Sequence, residues 1–128
     1  MLRFTIPGKP VPKQRPRIST KNGIVRAYTP KNTANYEKLV ANISMFNRID
    51  DVVLLGPISV KLLIFLERAK SNKDLFPITK PDIDNYAKSI LDGMNGVIYK
   101  DDSQIIDLHV QLRYGLEARV EVMIDTFL

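Results

Sequence analysis

The sequence predicts an α/β (α+β) fold: one mixed β-sheet of about four main strands, two helices, and a basic N-terminal arm with a hairpin. Three observations carry that reading. Strand-like runs, most of them alternating apolar and polar residues, recur at 2–6, 58–66, 106–112 and 118–124. Two longer segments, about 30–48 and about 84–94, repeat apolar residues at helical spacing. Between the first strand and the first helix, prolines and basic residues replace periodicity.

Taken in order, Leu2, Phe4 and Ile6 alternate with Arg3 and Thr5 and predict the first strand. The run "PGKPVPKQRPR" follows, and its prolines forbid a helix or a central strand. It is expected to be an extended loop with basic side chains splayed outward. In "STKNGIVRAYTP", Asn22 and Gly23 between short flanks signal a hairpin. A helix is expected from Pro30 to about Arg48, capped by Thr29 or Asn32, with Tyr36, Leu39, Val40, Ile43 and Phe46 or Asn47 as its apolar stripe.

The next strand has Ile58, Val60, Leu62, Ile64 and Leu66 on one face and Leu63 and Phe65 on the other, which predicts a central position. A long polar loop ends at Pro81. The second helix is expected from about Asp84 to Leu91 or Met94, burying Ile83, Ala87, Ile90, Leu91 and Met94, and ending at Asn95 and Gly96. A strand then turns Ile106, Leu108, Val110 and Leu112 inward and Asp107, His109, Gln111 and Arg113 outward. After a turn at Tyr114 and Gly115, the last strand turns Ala118, Val120, Val122 and Ile124 inward.

The 128 residues fit one domain, 1–128, and 45% hydrophobic content supplies a core. No cysteine is present, which excludes disulfides and zinc–thiolate sites. The longest apolar segment is broken by Lys61 and by Gly56 and Pro57, so no membrane span is expected. The formal net charge is +5. No acid precedes Glu37, whereas Arg3, Lys9, Lys13, Arg15, Arg17, Lys21, Arg26 and Lys31 do. A basic lobe of this kind points to a polyanion, with nucleic acid first.

Against that background "KPDIDNYAKSILDGM" sets Asp82 and Asp84 two residues apart at a helix start. One carboxylate there caps the helix, worth about 0.5–2 kcal/mol. The second needs another reason, and chelation of a hard cation such as Mg²⁺ by oxygen ligands is one. A further acid is available in "YKDDSQ", at Asp101 or Asp102, a pair that taken alone reads as a polar turn before a strand. Lys88 lies one helical turn beyond Asp84; it is either a surface ion pair or a cation aimed at phosphate. The apolar stripe leaves Asp84, Asn85 and Lys88 together on the accessible face. His109, the one histidine, reads as a surface residue on an outward strand face.

The segment "PDIDNYAKSILDGMNGVIYKDDSQI" resembles the core of the RusA family of Holliday junction resolvases, with its D-x-D-N-x-x-K run, helix, glycine and D-D-x-Q segment. Here these are Asp82, Asp84, Asn85 and Lys88, then Asp101, Asp102 and Gln104. "GKPVPKQRPR" is similar to the family's basic arm. The resemblance implies a small homodimeric endonuclease of bacterial, phage or prophage origin, cytoplasmic, cutting four-way DNA with Mg²⁺, or Mn²⁺ as a substitute. It implies that Asp82, Asp84 and Asp102 bind the metal, Asp102 being favoured over Asp101. Lys88 matches the essential lysine, with Asn85, Asp101 and Gln104 in support. Lys9, Lys13, Arg15, Arg17, Lys21 and Arg26 would grip phosphates. Two other readings use the same residues: a DNA-binding module without catalysis, and another metal-dependent phosphodiesterase or transferase built on D-x-D.

Overall fold

Alternating side chains make β1 (Leu2–Pro7) half-buried, with Leu2, Phe4 and Ile6 inside. A computed structural model describes residues 1–15 and 17–127, and only the backbone of Arg17. The elements that follow are β2 (Arg17–Lys21), β3 (Ile24–Tyr28), α1 (Lys31–Asn47), β4 (Ile58–Leu66), α2 (Ile83–Met94), β5 (Ile105–Tyr114) and β6 (Arg119–Thr126). One-turn 3₁₀ helices stand at Ile49–Asp51 and Asp102–Gln104.

The main sheet has the order β1-β6-β4-β5. β6 runs antiparallel to both β1 and β4, while β5 runs parallel to β4. A parallel pair needs a crossover connection, and α2 supplies it. β4 is therefore central, as its two apolar faces predict. Both helices pack on the face formed by Phe4, Ile6, Ile58, Val60, Leu62, Ile64, Val120, Val122 and Ile124, all buried. Each such side chain contributes about 1.5–3 kcal/mol on leaving water. On the opposite face, Phe65 lies under the Arg119 guanidinium at 4.0 Å.

β2 and β3 pair as a separate ribbon. Its turn residues Asn22 and Gly23 both have positive φ, 55° and 76°, which is why this dipeptide closes it.

Three details differ from expectation. Pro30 occupies the N-cap of α1 and no side chain caps it, so neither Thr29 nor Asn32 does so. The buried stripe of α1 is Thr33, Tyr36, Val40 and Ser44, while Leu39 and Phe46 face solvent. The helix is phased by its packing on α2, where Gly93 lets the two backbones approach: a Cβ there would stand 2.6 Å from Val40 Cβ and 3.0 Å from the Glu37 carbonyl. Last, Ile83, Ile106 and Leu108 are exposed by 40%, 62% and 45%, because β5 is an edge strand and α2 covers it only in part.

The close approach of the helices yields a stability prediction. Gly93→Val would push β-branched methyls into the rigid Val40 and Glu37 positions. Overpacking of this kind costs about 1–3 kcal/mol. We expect urea melts to show a midpoint lowered accordingly.

Candidate active site

α2 is the platform. Asp82 is its N-cap residue in extended backbone, yet its carboxylate makes no capping hydrogen bond. It turns back to Lys80, whose Nζ lies 2.6 and 2.8 Å from its two oxygens. Asp84 stands in the first turn, where the helix dipole favours a negative charge. Asp84, Lys88 and Asp92 follow at intervals of four, so they form one stripe along the helix. The buried face is formed by Tyr86, Ala87, Ser89, Ile90, Gly93 and Met94, broader than the predicted stripe.

Lys88 is the hub of the stripe. Its Nζ lies 3.0 Å from Asp92 and 3.9 Å from Asp102. The turn preceding β5 separates the roles of its two acids. Asp101 caps the 3₁₀ turn: its side chain accepts from the Ser103 amide at 3.1 Å, and Gln104 completes a capping box. Hydrogen bonding from Ser103 holds the Asp101 carboxyl below the usual carboxylate range. Asp102 is left pointing at Lys88. Gln104 also donates at 2.9 Å to the carbonyls of Leu54 and Gly56, which staples this turn to the entry of β4.

The basic arm is fixed to the same platform. The Lys13 amide donates to the Asn85 carbonyl at 2.7 Å, and Ser89 Oγ donates to the Val11 carbonyl at 2.6 Å. Thr33 Oγ1 donates to the Pro12 carbonyl at 3.1 Å. Lys13 does not splay outward: its ammonium lies 2.6 Å from Glu37 and 3.1 Å from Asp92. The two anions draw it inward.

Burial alone would lower the Lys13 pKa, but the Glu37 and Asp92 interactions outweigh it and raise it above the ordinary 10.5. A raised lysine pKa stabilises the fold fully below 10.5 and loses that contribution as pH climbs through the higher folded value. The lock is therefore intact across neutral pH. Lys9, Arg15, Lys21 and Arg26 are exposed. The Arg17 side chain lies outside the described residues.

Asp92 and Glu37 were not singled out from the sequence. The spacing 84, 88, 92 carries a signal for Asp92; nothing local marks Glu37, whose partner lies 24 residues away.

The chain matches the RusA endodeoxyribonuclease family over residues 7–125. It belongs to that family. It is also similar to a protein of Bacillus subtilis strain 168, the uncharacterized protein YqaN, at 38% identity across 96% of this chain and 94% of that one.

Asp82, Asp84 and Asp102 are of the donor type a hard divalent cation takes: carboxylates, with no sulfur or histidine among them. Asp84, Lys88 and Asp102 lie along one side of α2, and Asp82 is paired with Lys80 at its N-terminus. Among the described residues no three acids or histidines converge on one ion. His109 lies on the outer face of β5 beside Asp107, apart from this stripe. Among the described residues no helix is long and apolar enough to cross a membrane.

Proposed function

We propose that this RusA-family protein is a Mg²⁺-dependent, structure-selective endodeoxyribonuclease that resolves four-way DNA junctions by symmetric phosphodiester hydrolysis. The observation that carries the reading is the family match across the segment holding Asp82, Asp84, Lys88 and Asp102. The proximity of Asp102 to Lys88 supports it, and the use of Asp101 in a capping box supports Asp102 as the third ligand.

Asp82, Asp84 and Asp102 would hold the cation. When bound, it lowers the pKa of an attacking water and draws negative charge from the phosphate. Lys88 places an ammonium beside the carboxylates, where charge builds on phosphoryl oxygens. Asp92 positions Lys88 and, through its other oxygen, Lys13. The exposed basic residues gather phosphates, giving affinity without base readout. A homodimer would set two such sites against two symmetric strands of a junction.

Titration of Mg²⁺, Mn²⁺ and Ca²⁺ against cleavage of a labelled four-way junction tests the reading. Binding without cutting under every cation would favour a non-catalytic DNA-binding module. The arm is tested separately. Replacing Arg15, Lys21 and Arg26 together with Ala is expected to weaken junction binding and to flatten the log–log salt slope by about 2–3, near 0.9 for each phosphate no longer neutralised. Cleavage of saturated junction should change little.

A further inference from the structure

In a compact domain a connection longer than about 12–15 residues is usually functional or disordered. Residues 67–82 make such a connection between β4 and α2, and it is anchored at its base. The Asn72 side-chain amide donates to the Tyr114 hydroxyl at 2.7 Å, and the Arg68 guanidinium stands over the Tyr114 ring at 4.9 Å. The Asn72 side chain also accepts from the Asp74 amide at 2.8 Å, closing a local turn. Pro77 and Pro81 restrict the backbone beyond that turn. The far end is the N-cap of α2.

Beyond the anchor the loop presents Leu75, Phe76 and Ile78 to water, exposed by 78%, 56% and 77%. Holding large apolar side chains together in water is unfavourable unless something covers them. The charges around them decide what does. Arg68, Lys70, Lys73 and Lys80 outnumber Glu67 and Asp74 along the loop, all of them exposed. Lysine is depleted where proteins meet, whereas a phosphate backbone attracts it. Apolar side chains flanked by cations suit DNA whose base faces are open: the cations take phosphates and the apolar groups take the bases. A continuous duplex hides those faces in its stack, and a four-way crossover interrupts the stack. From Phe76 to Asp82 an extended chain spans at most about 20 Å, the rise of about six nucleotides. The loop therefore reaches a crossover while the start of α2 lies on phosphates next to it.

We propose that Leu75, Phe76 and Ile78 form a wedge that enters the branch point of a DNA junction, with Phe76 stacked on a base left open there. The loop then separates junction from duplex, a task apart from that of the carboxylates. This rests on the branched-DNA reading above and deepens it. Binding is read in EDTA, where no metal-dependent cutting occurs. A chain that grips junctions by this loop and never cuts keeps the inference and loses the nuclease reading. A chain that cuts junctions with the loop dispensable does the reverse.

The test is fluorescence anisotropy of the full chain with a four-way junction and with a linear duplex of the same sequence. Phe76→Ala should raise the junction dissociation constant about tenfold or more, the scale of one lost base stack, and leave the duplex constant within about twofold. Phe76→Trp should hold the junction constant within about threefold of wild type, because an indole offers the same stacking face. Iododeoxyuridine set at the branch point should photocrosslink to the peptide holding Phe76, and the same base placed deep in an arm should not. Wild-type protein that binds junction and duplex equally overturns the proposal. So does a Phe76→Ala loss that is equal on both substrates or absent, or a crosslink that ignores the branch point. A Phe76→Ala variant whose sedimentation mass departs from wild type would show that a second copy covers the loop, and overturns it too.

Discussion

Asp84→Asn is expected to lower Mg²⁺-dependent junction cleavage by about 10³-fold or more while leaving junction binding within about threefold of wild type. The substitution is nearly isosteric, and Asp84 is exposed at the first turn of α2. Loss of its charge weakens the dipole interaction by about 0.3–1 kcal/mol, which a folded domain tolerates. A neutral amide is a poor ligand for a hard dication, so the loss falls on the chemical step. On the proposed reading binding rests on the basic arm and hairpin instead, and removing a negative charge near DNA does not oppose it. The comparison is single-turnover cleavage beside a gel-shift titration at fixed salt. An unchanged cleavage rate would remove Asp84 from the site.

Lys88→Ala is the second large effect. The Lys88 ammonium lies between Asp92 and Asp102, at 3.0 and 3.9 Å, so its charge is held beside the carboxylates. Removing a donor aimed at developing charge costs about 10²–10³ in kcat. The Michaelis constant should move little, because the interaction belongs to the transition state. Asp92→Asn tests the same residue from behind. It loosens Lys88 without removing it, and is expected to cost about 10- to 100-fold in kcat, the scale of a small misplacement. Lys13 keeps Glu37 in that variant, so the arm stays docked. If Asp92→Asn lowered stability and left kcat unchanged, Asp92 would be an anchor for the arm only.

Much of this arrangement is legible in the chain. Period-two alternation places β1, β4, β5 and β6, and the Asn22–Gly23 pair places the hairpin. Local pattern is what those elements depend on. The Asp84–Lys88 spacing puts both on the accessible side of α2 for the same reason. The features that escape are those set by distant partners. The phase of α1 follows from Gly93, more than fifty residues beyond Val40, so Leu39 and Phe46 turn outward although their spacing suits a buried stripe. Lys13 is drawn inward by Glu37 and Asp92, which no local signal joins to it. Ile106 and Leu108 read as core because they alternate correctly, yet the sheet ends at β5. At the candidate site, sequence places the carboxylates at the start of α2 and in the turn before β5, but not their hydrogen bonds. The capping box at Asp101 and the approach of Asp102 to Lys88 separate the two acids.

The most direct measurement of the central claim is cleavage of an end-labelled four-way junction beside a linear duplex of the same sequence, with and without Mg²⁺. The account predicts paired nicks, symmetric across the junction, that require the cation and are absent from the duplex. Equal cutting of both substrates would contradict structure selectivity, and junction bound but uncut across the cation series would contradict the nuclease itself.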